Sequence, residues 1–207
     1  MITILHEDAA VIAVAKPQGI SAIPERDLSI PSIRTIMEQH LGKRLFVVHR
    51  LDKEVSGVML FAKTAEAHRY LNGEFSGRRI RKTYLALVHG LITADQGIID
   101  APIRQFGSGR MGVDFQNGKP SVTRFKVLER RDPHTLIEAY PETGRRHQIR
   151  VHLYHIGHPI VGDRRYGDKN LRDPASRLML HAARVEWKNP DGSQVAVECQ
   201  APEEFHL

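Results

Sequence analysis

The chain has 207 residues, with 30 Lys+Arg against 24 Asp+Glu for a formal net charge of +6, and is 41% hydrophobic and 26% charged. That length suits one large or two small domains able to bury roughly 70% of the unfolded surface, and the composition excludes collagen-like, low-complexity and wholly disordered chains. No apolar run reaches the ~18 residues of a membrane helix, the first turn of sequence carries Glu7 and Asp8 where a signal peptide is basic, and the single cysteine, Cys199, makes neither an intrachain disulfide nor a Cys-rich zinc site. A soluble, cytoplasmic protein is the expectation.

The charge is unevenly placed. Residues 1–40 hold three basic and five acidic side chains, residues 44–82 nine and four, and residues 142–186 nine and five. Of the 30 cations 21 are Arg, whose planar fork suits bidentate phosphate contacts and stacking on bases, so a polyanionic partner is favoured over a neutral one.

In chain order, Ile2 to Leu5 and Val11 to Val14 read as short strands followed by a turn at Lys16-Pro17-Gln18-Gly19. Ser32 caps an expected helix on which Ile33, Ile36, Met37 and Leu41 form one apolar stripe. Phe46 to Val48 and Val58 to Ala62 are β-prone runs around a polar loop, His49 to Gly57. Thr64 opens a second amphipathic helix through Ala67, Leu71 and Phe75, and Tyr84, Ala86 and Val88 alternate as in a strand. Gly90 to Pro120, rich in Gly, Asp, Pro and Gln, predicts a long flexible loop or hairpin, a candidate lid. Val122 to Leu128 and Thr135 to Tyr140 read as paired strands. From Arg146 a helix is expected to bury Ile149, Leu153 and Ile156 before Gly157 and Pro159 stop it, and strands follow at Met179 to Val185 and Val195 to Cys199. The pattern is α+β, with no internal repeat or Pro/Ser-rich linker, and predicts one continuous domain over 1–207.

Two constellations could carry chemistry. His49-Arg50-Leu51-Asp52 places a carboxylate two residues from a guanidinium in a loop between apolar runs, where partial burial would set its charge and orientation. Thr143 to His152 packs three Arg, two His and a Gln around the start of a helix, a site suited to anions. His147, His152, His155 and His158 crowd together without an HExxH pattern or carboxylate support, and a five-residue spacing turns His147 and His152 to different faces; no metal is expected. The sequence has no GxxxxGK[ST] and no strand-bound G-x-G-x-x-G, since Gly107, Gly109 and Gly112 read only as a flexible loop, and it has no G-x-S-x-G elbow, which disfavours nucleotide-dependent enzymes and serine hydrolases.

His49-Arg50-Leu51-Asp52-x-x-x-Ser56-Gly57 resembles the signature loop of the RluA-like pseudouridine synthases. Five more blocks resemble that family in order: Lys16-Pro-x-Gly19, Lys82-x-Tyr84-x-Ala86-x-Val88-x-Gly90, Thr143-Gly-Arg-x-His-Gln-Ile-Arg-Val-His152, Gly157-His-Pro-Ile-x-Gly-Asp163 and Leu180-His-Ala182. One departure is Val55, where the family usually has Thr. The resemblance implies a single pseudouridine synthase domain built on a central mixed, largely antiparallel β-sheet flanked by helices. It also implies a form without the additional N-terminal S4-type domain.

The resemblance further implies isomerisation of uridine in structured RNA, either transfer RNA or ribosomal RNA. The N1–C1′ bond breaks, the uracil turns and C5 joins C1′, with no cofactor and no metal. Asp52 matches the catalytic carboxylate, acting either as nucleophile at C1′ or as base on the sugar. Arg145 matches the arginine that keeps that carboxylate charged, and Tyr84 the tyrosine that stacks on the uracil and can take the C5 proton. For substrate binding, Arg50 is the candidate to fill the gap left by the extruded uridine, Ile149 and Leu180 are candidate walls of the uracil pocket, and His49 is expected to fix the loop by hydrogen bonding. A cytoplasmic monomer with RNA as its partner is expected. The competing expectation is a basic RNA-binding or ribosome-assembly module that keeps the fold without turnover, which would have no reason to retain Asp52, Tyr84 and Arg145 together.

Overall fold

The first turn is made by one carboxylate: Asp8 Oδ1 accepts from the amides of Ala10 and Val11, each at 2.7 Å, and joins β1 (Thr3–Glu7) to β2 (Val11–Lys16) as an antiparallel pair. In this computed structural model, which describes residues 2–27, 29–167 and 175–206, the next elements are α1 (Ile33–Leu41), β3 (Phe46–Val47), β4 (Ser56–Ala62) and α2 (Ala65–Ser76). They are followed by β5 (Arg81–His89), β6 (Gln96–Asp100), β7 (Ile103–Gln105), β8 (Met111–Val113), β9 (Val122–Arg131), β10 (His134–Pro141), α3 (Gln148–His155), β11 (Leu180–Lys188) and β12 (Gln194–Glu198). The fold is α+β, with a mixed, mostly antiparallel sheet and, among the described residues, three α-helices. It falls into two compact units, Met1–Lys82 with His181–Pro202, and Thr83–Leu180 with Glu203–Leu207.

In the first unit all seven residues of β4 are buried, because β2 and β3 pair with it antiparallel and β11 pairs with it in parallel. A strand covered on both faces reads as an unbroken apolar run, which is what Val58 to Ala62 show. The strand begins at Ser56, two residues earlier than the apolar run suggests, because Ser56 and Gly57 pair with His181 and Ala182. Leu60, Ala62, Leu71, Val185 and Trp187 form the core of this unit, each large side chain contributing about 1.5–3 kcal/mol by burial. The helices start where their caps dictate. Ser32 and Thr35 form a reciprocal capping box on α1, and Thr64 accepts from the Ala67 amide on α2.

In the second unit β5, β10, β9 and β6 run antiparallel in that order. Along β10, Thr135, Ile137, Ala139 and Pro141 are buried in strict alternation, and α3 packs against β8, β9 and β10. The stretch expected as a flexible loop or hairpin holds a hairpin and one further short strand among its turns. Gln96–Asp100 adds β6 to the edge of β9, and β7 and β8 pair as a separate two-stranded hairpin whose turn is the Gly-rich Phe106–Arg110. Glycine content marks that turn correctly but conceals the short strands on either side. α3 starts at Gln148, two residues later than expected, because His147 takes a left-handed conformation at φ 55°. Ile156, expected on its buried face, is instead exposed at the helix end. Residues 168–174, part of the second basic stretch, lie outside the described residues. Among the described residues no helix is long and apolar enough to cross a membrane.

Candidate active site

Asp52, Arg50 and His49 share one loop of the first unit, and that loop is held by a buried lysine. Lys16, at the end of β2 and 1% exposed, points its ammonium at backbone carbonyls: Val55 O at 2.7 Å, Pro17 O at 2.9 Å and Lys53 O at 3.1 Å. Gly19 donates to the same Lys53 carbonyl at 2.8 Å from a positive φ of 81°, so the Lys16-to-Gly19 turn and the Asp52 loop are stitched together at Lys53. The amide of Val55 donates to Asp52 O at 3.1 Å and closes the turn around the carboxylate. Asp52 is partly exposed and Arg50 exposed, so both side chains reach the surface where a ligand can meet them.

Behind the loop, Ser56 donates its hydroxyl to His181 Nδ1 at 2.8 Å, which requires the His181 proton on Nε2, where it meets Cys199 O at 3.0 Å. Gly57 sits at φ 118° with Ala182 O only 2.2 Å from where a Cβ would stand, so β4 and β11 approach at a distance only glycine permits.

His49 is a neutral acceptor. Its Nε2 receives the Leu60 amide at 2.9 Å, and its ring stacks on Phe75 with centroids 5.0 Å apart. Burial, together with the nearby Lys82 charge, lowers its pKa to about 3, so at neutral pH it is the uncharged imidazole with its one ring proton on Nδ1. Burial also lowers Lys82, to about 8, two positions before Tyr84 on β5. Neither lysine stands among the site residues expected from the sequence, although Lys16 and Lys82 each head one of the matching blocks.

In the second unit Arg145 and Ile149 lie at the entry to α3, Tyr84 lies on β5 opposite Ala139, and Leu180 begins β11. Ile149 and Leu180 are buried, whereas Tyr84 and Arg145 are partly exposed. The turn that carries Arg145 is fixed by Gln148. Its Oε1 accepts from the Thr143 hydroxyl at 2.6 Å and the Arg145 amide at 3.0 Å, and its Nε2 donates to Val122 O and Thr123 Oγ1. The chain of donors continues from the Thr123 hydroxyl to His152 Nδ1 at 2.9 Å and from His152 Nε2 to Ala101 O at 2.9 Å. Every polar atom of this buried row is oriented, which makes the turn rigid. The Arg145 side chain reaches the Pro120 carbonyl at 3.3 Å.

One turn further along α3, Arg150 grips Asp163 with two bonds of 2.8 Å, and the amides of Arg165 and Tyr166 complete the same carboxylate. Burial pushes the Asp163 carboxyl up, but Arg150 and the two amides outweigh it and hold it below the ordinary range. Asp163 therefore ties the end of the Gly157-to-Asp163 block to the helix that carries the arginine block.

The site residues expected from the sequence fall in both units, Asp52, Arg50 and His49 in the first and Tyr84, Arg145, Ile149 and Leu180 in the second. The RNA pseudouridylate synthase family model matches residues 10–155, and the chain belongs to that family. It is 37% identical over 212 aligned positions to the ribosomal large subunit pseudouridine synthase C of Vibrio cholerae, covering 99% of this chain and 66% of that protein. With the dual-specificity RNA pseudouridine synthase RluA of Vibrio vulnificus it shares 38% identity over 198 positions, covering 90% of this chain and 78% of the relative. The structure of human RNA pseudouridylate synthase domain containing 1 superposes with a TM-score of 0.84 at 30% identity, covering 99% of this chain and 86% of that one. The chain spans about two thirds of the length of the large-subunit synthases that it matches.

Proposed function

We propose that this protein is an RNA pseudouridine synthase that isomerises uridine in ribosomal RNA, with Asp52 as the catalytic carboxylate. The observation that carries the proposal is the loop itself. Lys16 and Gly19 pin its backbone while Asp52 and Arg50 reach the surface, which is the arrangement a preorganised carboxylate needs. Relatives named for the ribosomal large subunit support ribosomal RNA as the substrate, and transfer RNA, the other RNA class that the resemblance implies, stays within the test.

In this reading Asp52 acts at the ribose, as nucleophile on C1′ or as base on the sugar, and Tyr84 stacks on the uracil and takes the C5 proton. Arg145 takes the place of the arginine that the resemblance pairs with this carboxylate, Arg50 fills the space vacated by the extruded uridine, and Ile149 and Leu180 bound the base. His49, neutral and spent on the Leu60 amide, orients the loop without transferring a proton. The reaction needs no metal and no cofactor, and we assign it to a cytoplasmic monomer.

The test is tritium release from ribosomal RNA and, separately, transfer RNA labelled at uracil C5, with wild type beside Asp52→Asn. Release by wild type from the ribosomal pool and none by the variant is expected. Bound RNA with no release from either pool would instead favour a binding module that keeps the fold.

A further inference from the structure

Beyond the proposed catalytic residues, the second unit holds a cavity of about 650 Å³ between the β7–β8 hairpin and α3. Its floor is Val151 and Tyr166, 2% and 1% exposed, and its rim carries Phe106 and Tyr154, 39% and 47% exposed. The Tyr166 hydroxyl accepts from the Met111 amide at 3.2 Å and meets His147 Nδ1 at 2.7 Å, so the floor is locked to both walls. The Phe106 ring lies over Gly112, where a Cβ would stand 2.8 Å from it; that glycine lets the ring lie flat at the mouth.

Guanidinium groups are interleaved with these rings. Arg110 lies 5.6 Å from the Tyr154 centroid and 5.2 Å from that of Tyr166, and Arg104 lies 4.5 Å from Phe106. Arg165 ties itself to Gly109 O at 2.9 Å, adding a further cation at the hairpin turn. The acid beside the hairpin, Asp114, is engaged by Arg104 at 2.9 Å, and no carboxylate among the described residues lines the cavity. A hydrophobic peptide would find these cations superfluous. Aromatic rings with guanidinium groups 4.5 to 5.6 Å from their centroids, over an apolar floor and under a positive rim, suit an unstacked nucleobase with its phosphate.

We propose that this cavity receives one unpaired nucleotide of the RNA substrate other than the target uridine, its base stacked on Tyr154 and Phe106 and its phosphate facing Arg110 and Arg165. The volume falls in the range of small-molecule pockets and accommodates a base with its ribose. The proposal rests on the chain acting on RNA. It adds a subsite that would help to select the RNA by holding a base near the modified one. Along α3, at 1.5 Å per residue, Tyr154 stands about 9 Å from Gln148, and the Arg145 turn lies further back still. The subsite therefore belongs to a neighbouring position of the strand and not to the reacting base.

Two readouts test it on the full chain. Steady-state tritium release from C5-labelled ribosomal RNA should show KM raised about tenfold by Tyr154→Leu, with kcat at saturation within twofold of wild type, the loss expected for one base–aromatic stack. Tyr154→Phe, which keeps the ring, should restore KM. Ultraviolet cross-linking of the wild-type protein to the same RNA should place nucleotide adducts on peptides containing Phe106 or Tyr154. Cross-links there without any tritium release would leave the subsite standing and remove the synthase reading. Tritium release with an unchanged KM for Tyr154→Leu and adducts only elsewhere would overturn the subsite and leave the synthase reading intact.

Discussion

Lys16 Nζ lies 2.7 Å from Val55 O, so a lysine at the end of β2 holds the far side of the loop that carries Asp52. The ammonium is buried and spends its donors on backbone carbonyls, which makes it a brace and not a ligand for phosphate.

Replacing Lys16 with Met keeps the volume and removes the donors. The carbonyls of Pro17, Lys53 and Val55 lose a partner, at a cost of about 2–4 kcal/mol. Tritium release from RNA should fall at least tenfold while urea denaturation still shows a cooperative transition. Wild-type turnover in Lys16→Met would show that the loop holds its shape without this brace.

Acid should destabilise the first unit through His49. Its folded pKa of about 3 lies below the ordinary 6.5, so the unfolded chain binds a proton that the folded protein refuses between those values. Stability is complete above pH 6.5 and is lost as pH falls toward 3, by about 2–3 kcal/mol between pH 7 and pH 4.5. Urea midpoints at the two pH values should differ less in His49→Gln than in wild type.

Lys82 is the second cause of the His49 depression, after burial. Lys82→Met should therefore raise the His49 titration midpoint measured by NMR. Because the Lys82 folded pKa, about 8, lies below the ordinary 10.5, wild-type stability should rise as pH increases from 8 to 10.5. That rise should vanish in the variant, and an unmoved His49 midpoint would show that the two groups are not coupled.

Asp163→Asn leaves Arg150 charged and buried against a neutral amide. Breaking a buried pair costs about 3–5 kcal/mol, which lowers Tm by about 10 °C. Thermal melts followed by circular dichroism would read this directly, and a shift under 2 °C would mean that the pair adds little.

Gly57→Ala should fail to fold. The new methyl would meet Ala182 O at 2.2 Å, against backbone that cannot move aside, with a positive φ in addition. Expression of soluble protein with a wild-type melting curve would contradict the close approach of β4 and β11.

Several elements are legible in the sequence because their causes are local. Ser32 with Thr35 and Thr64 with Ala67 cap their helices through neighbours three residues away, and the alternation of β10 is visible in Thr135, Ile137 and Ala139. The six blocks, from Lys16-Pro-x-Gly19 to Leu180-His-Ala182, mark Asp52, Tyr84 and Arg145 as candidates by residue type and order. The Gly-rich middle, by contrast, reads as a loop or hairpin and hides β6 and the strands of the β7–β8 pair. Glycines at a tight turn look the same in sequence as glycines in a flexible segment, and β6 is stabilised by an edge that lies far away along the chain, on β9.

Sequence by itself determined the family, the candidate carboxylate and the basic character, because these depend on which residues are present and in what order. Tertiary structure decided that Lys16 braces the Asp52 loop from 39 positions away, that burial leaves His49 uncharged, that Gln148 orients the Arg145 turn, and that Tyr154 and Phe106 frame a cavity with Arg110. Desolvation and contacts between distant segments exist only once the chain has closed on itself, so no local pattern carries them.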